Sequence, residues 1–63
     1  MKVKVEYVDY GVGGEYGFFG KLVATSDVRG MSDAAIGKEI DEMYELLGRH
    51  VVARVVEEVP ALG

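Results

Sequence analysis

The groups with chemistry to offer are one histidine at position 50, adjacent carboxylates at 57 and 58, acids between 39 and 45, and five glycines within GVGGEYGFFG (residues 11–20). An imidazole titrates near neutrality and suits a general base, but a base needs a partner to orient it. No serine or acid stands beside His50 in a recognisable motif, so it reads as a helix-capping or exposed residue. Glu57 and Glu58 are neighbours on a strand pattern and point to opposite faces, which makes them a poor catalytic pair. With no cysteine and a single histidine, disulfides, thiolate metal sites and nitrogen-rich metal clusters are excluded. The expectation is a non-catalytic chain without cofactor or metal.

The glycines pose a separate question. A dinucleotide loop needs G-x-G-x-x-G between a strand and a helix. Gly11 and Gly13 open that pattern, but Tyr16 stands where the last glycine belongs. The segment after the glycines looks like a strand, so no helix N-terminus is offered to a phosphate. GVGGE therefore reads as the bend of an antiparallel hairpin.

Periodicity defines the elements that must position these groups. KVKVEYVDY (residues 2–10) alternates with a period of two and predicts a half-buried strand. YGFFGKLVAT (residues 16–25) predicts a second. There Tyr16, Phe18, Leu22 and Ala24 share one face, and Phe19, Val23 and Thr25 the other. Ser32 is a good N-cap, with Asp33 at the dipole-favoured first position. Ile36, Ile40, Met43 and Leu47 then form an amphipathic stripe, with Lys38, Asp41, Glu42 and Glu45 opposite and Gly48 as the stop. The valines of HVVARVVEEV (residues 50–59) also fit a helical stripe, but after a glycine stop their branching favours a strand. The expected fold is α+β, in the order β-β-α-β. A single domain over residues 1–63 has one helix packed on a three-stranded antiparallel sheet, and the third strand lies beside the first.

Composition narrows the partners. Eleven acids against seven bases give a net charge of −4, which disfavours direct binding to nucleic acid, where Lys/Arg–phosphate contacts dominate. Apolar runs fall far short of the roughly 20 residues of a membrane span, and Met1 leads into an alternating strand rather than a leader. No membrane association is expected, and the cytoplasm is the expected compartment.

Two surfaces remain. Asp41 and Glu45 stack like charges four residues apart, and Glu42 and Glu39 extend the patch. Such a face suits a basic groove on a protein partner, one that normally holds nucleic acid. Tyr7, Tyr10, Tyr16, Phe18, Phe19 and Tyr44 are too many to bury beneath one short helix. The face carrying Phe19, Val23, Val52 and Val56 is left for an interaction, and a homodimer or higher oligomer is expected. Asp41, Glu42, Glu45, Tyr10, Tyr16 and Phe19 are the expected partner-binding residues.

In size and charge the chain is similar to the small acidic inhibitors that phages direct against host enzymes, anti-CRISPR proteins among them. This likeness implies a module that blocks a partner's surface through its acidic helix and aromatic sheet face. The alternative is a homo-oligomeric structural or regulatory domain with the organisation of an antitoxin. A third possibility is a small-ligand site at a subunit interface, built from Tyr10, Tyr16 or His50.

Overall fold

The computed structural model describes residues 1–48 and 50–58. It contains β1 (Lys2–Asp9), β2 (Lys21–Asp27), α1 (Asp33–Leu47) and β3 (Val51–Glu57). The sheet is antiparallel in the order β2-β1-β3, so the most strongly patterned strand is central and the third lies beside the first, as expected. Val59, the last residue of the expected third strand, lies outside the described residues.

Alternation on β1 separates two faces. Val5 and Tyr7 point beneath α1, where they are fully buried with Val28 and packed against Ile36 and Val51. Ile40, Met43 and Leu47 complete the predicted stripe, joined by Ala24 and Ala53 from the flanking strands. Ser32 sits in extended backbone and its hydroxyl accepts the Ala35 amide at 3.2 Å, satisfying a donor that the first helical turn leaves open. At the other end Gly48 adopts φ 92° and donates its amide to the Tyr44 carbonyl.

The second strand departs from its expected span. It begins at Lys21 rather than Tyr16, because Gly17 and Gly20 adopt φ of 74° and 68°, which an extended strand cannot contain. Residues 11–20 form a long connection instead, with one 3₁₀ turn at Val12–Gly14. Tyr16, Phe18 and Phe19 consequently leave the sheet, and the expected pairing of Phe19 with Val23 on one strand face does not occur. The register skips between Tyr7 and Val8, where Val23 is the extra residue of a β-bulge.

The outer edge of β3 is partly closed. Tyr10 donates its amide to the His50 carbonyl at 3.2 Å, which sets the ladder so that even-numbered β1 residues bond β3. Ala53, opposite Tyr7, therefore turns its amide outward, and the Tyr44 hydroxyl accepts it at 3.1 Å. A helix residue thus blocks part of a valine-rich edge that could otherwise template strand pairing.

Candidate interaction surfaces

The acidic patch is built by helical spacing. Asp41, Glu42 and Glu45 occupy the outer face of the second half of α1, all exposed. Glu39 is not part of it, contrary to expectation. Its carboxylate turns toward the sheet and accepts from the Ser26 hydroxyl at 3.1 Å. Ser26 has one proton to give, so the Tyr7 hydroxyl, 3.4 Å away, supplies the other hydrogen in this short relay. Among the described residues the ion pairs are Lys2–Asp33 and Arg54–Glu6, at 2.7 and 2.9 Å, and neither draws on the patch. The Lys2 ammonium holds the Asp33 carboxyl below its ordinary range, chiefly by hydrogen bonding, and Lys2 is raised in turn.

Charge is unevenly distributed. Helix α1 carries Asp33, Glu39, Asp41, Glu42 and Glu45 against the single Lys38, a net −4. Eleven acids and seven bases in the whole chain leave six of each elsewhere, so the rest is neutral and the helix holds the entire net charge.

The aromatic connection forms one end of the molecule. Phe18 and Phe19 are 90% and 89% exposed and meet edge to face, with ring centroids 5.7 Å apart. Lys21 places its ammonium 5.9 Å from the Tyr16 ring, a cation–π distance. Tyr10 is held at the base of the connection, since a Cβ on Gly20 would come within 2.5 Å of Val8 Cγ1 and 3.0 Å of the Tyr10 ring. Phe18 belongs to this tip and not, as expected, to a strand face shared with Tyr16. Its signal is the FF pair between two glycines, a pattern that suits a projecting tip better than a strand.

Among the described residues no element covers the sheet face opposite α1. Val8 lies on it, shielded by Gly20 and Tyr10, while Leu22 and Val52 beside it are 54% and 51% exposed. Toward the other end the face turns mainly polar, with Lys4, Thr25, Asp27 and the Glu6–Arg54 pair around Val56, which lies on this face with Val52 as expected. The expected binding residues are therefore not one surface. Asp41, Glu42 and Glu45 lie on the helix side, Tyr10 packs toward the open side, and Tyr16 and Phe19 sit in the connection at the end both sides share.

A hollow of about 580 Å³ at the helix C-terminus is lined by Tyr44, Glu45, Gly48 and Val51. Among the described residues no three His, Cys, Asp or Glu side chains are grouped to hold a metal ion, and no helix is long and apolar enough to cross a membrane. His50 lies exposed in the turn before β3. Comparison with protein-family models, curated proteins and solved structures finds no match to this chain.

Proposed function

We propose that the chain is a non-catalytic protein-binding module that occupies a basic surface of a partner with the outer face of α1. One observation carries this reading. The whole net charge of −4 sits on a helix whose Asp41, Glu42 and Glu45 are exposed, while the rest of the chain is neutral. Asp41 and Glu45 stand four residues apart, and like charges at that spacing cost a helix stability. A rigid row of carboxylates fits a groove that otherwise receives phosphates, so the partner is a nucleic-acid-binding protein and the chain an inhibitor of the phage type. Phe18 and Phe19 supply an apolar anchor at the end of the same molecule, of the residue class that dominates interface energetics.

The test is a tagged pull-down from lysate of the native host at low and high salt, beside the triple variant Asp41→Lys, Glu42→Lys, Glu45→Lys. Between roughly 0.05 and 0.5 M salt the Debye length shrinks from about 14 to about 4 Å. Capture of one macromolecular partner that is lost at high salt and in the folded triple variant is the expected result. Undiminished capture by that variant would overturn the reading.

A further inference from the structure

We infer that a second copy of this chain covers the open face of the sheet, giving a two-fold dimer with four layers, helix–sheet–sheet–helix. The shape gives the first reason. The Cα extents are 43 × 26 × 12 Å and the radius of gyration is 13.1 Å, against about 11 Å for a compact chain of this length. The accessible surface is 4780 Å², where a monomer of this size exposes about 4,000 Å². That surplus is shared between the projecting connection, where Phe18 and Phe19 are 90% and 89% exposed, and the open face, where Leu22 and Val52 are half exposed.

Charge decides which face is used and by what. A contact between two helix faces would set −4 against −4. The open face has no such conflict, since Lys4, Arg29 and Arg54 stand against Glu6, Asp27, Glu57 and Glu58 on it and at its polar end, close to balance. Its apolar half, centred on Leu22 and Val52 beside the shielded Val8, suits an isologous core, and the polar half supplies a rim. Pairing through the β3 edge is opposed by Tyr44, which already occupies the Ala53 amide. The dimer leaves both acidic helices on the outside, so self-association and partner binding use different surfaces.

Sedimentation velocity on the full chain over a micromolar dilution series reads the stoichiometry directly. The expected result is a dimer at high micromolar concentration that persists in high salt, reduced to monomer by Leu22→Asp or Val52→Asp with an unchanged circular dichroism spectrum. Both side chains are half exposed, so the folded monomer tolerates the change. Glu42→Lys, on the outer helix face, leaves the dimer intact. Amide chemical-shift changes on dilution of the unmodified protein place the contact without any variant, at Leu22, Val52 and Arg54. A monodisperse monomer at high micromolar concentration overturns the inference. So does a dimer whose dilution shifts fall on α1, or one abolished only by Phe18→Ser and Phe19→Ser. Failure of the partner pull-down with the dimer intact would refute only the acidic-helix reading.

Discussion

Replacing Gly20 by alanine tests how the aromatic connection is fixed to the sheet. Two costs apply at this position. The first is conformational: φ is 68°, and the left-handed region costs an L-residue about 1–2 kcal/mol. The second is steric, because the new methyl would stand 2.5 Å from Val8 Cγ1 and 3.0 Å from two Tyr10 ring carbons. Overpacking of this kind costs about 1–3 kcal/mol. Gly13 provides the control. Its φ of 65° incurs the first cost, but a Cβ there meets nothing within 4 Å. Urea unfolding should show Gly13→Ala losing about 1–2 kcal/mol and Gly20→Ala about 2–5 kcal/mol. A chain of this length has only about 3–9 kcal/mol in total, so Gly20→Ala leaves it barely folded. Adding Val8→Ala removes one clashing methyl, and the double variant should lose less than the sum of the two singles. Equal losses at Gly13 and Gly20 would refute the reasoning, because Val8 would then owe its burial to something other than Gly20 and Tyr10.

Tyr44→Phe keeps the ring but leaves the Ala53 amide without its acceptor, costing about 0.5–1.5 kcal/mol and lowering the melting temperature by about 4–8 °C per kcal/mol. Light scattering on heating should also rise faster in this variant, since the β3 edge is no longer guarded, and unchanged scattering would deny Tyr44 that role. Glu45→Lys converts the Asp41–Glu45 repulsion into an attractive i, i+4 pair and should stabilise the chain by about 0.4–1 kcal/mol in thermal unfolding while weakening partner capture. The Lys2–Asp33 bond gives a pH signature. The lowered Asp33 contributes stability above its ordinary value of 3.8, lost as pH falls through its folded value. The raised Lys2 contributes below 10.5, lost as pH rises through its own. The difference in urea midpoint between wild type and Lys2→Gln should therefore be flat from about pH 5 to 9 and shrink beyond either end.

The central strand and the helix are legible because each carries an unbroken period with its own boundary signals. Ser32 and Gly48 mark the ends of α1, and the stripe from Ile36 to Leu47 faces the core. The last strand is ambiguous by spacing alone, since its valines satisfy both periods, and β-branching resolves it. The second strand starts later than its pattern suggests because apolar alternation runs on through Phe18 and Phe19. Only the positive φ at Gly17 and Gly20 breaks it, and sequence shows the glycine but not its dihedral angle. Glu39 departs from the acidic patch for a related reason. Helical spacing places it near Glu42, but its route to Ser26 depends on which strand lies under that turn. The Tyr44–Ala53 bond, which joins a helix to the outer edge of a strand, has no local signal at all.

One helix can cover only one face of a three-stranded sheet, and among the described residues α1 is the α-helix that does so. An antiparallel sheet with one face in solvent commonly makes that face polar. This chain places Leu22 and Val52 there, half exposed, and gathers charge at the other end, where Lys4, Asp27 and the Glu6–Arg54 pair lie beside Arg29, Glu57 and Glu58. It also concentrates its net charge on the helix, where Asp41 and Glu45 repel each other at a cost of about 0.2–0.5 kcal/mol. The second of these choices lowers the stability of the isolated domain, whose largest fully buried side chains among the described residues are Val5, Tyr7 and Val28. The two choices are consistent with each other if the apolar face meets its own copy and the acidic face meets something basic. Like charge then keeps the helices apart, and the neutral face is the one left for a second copy to cover.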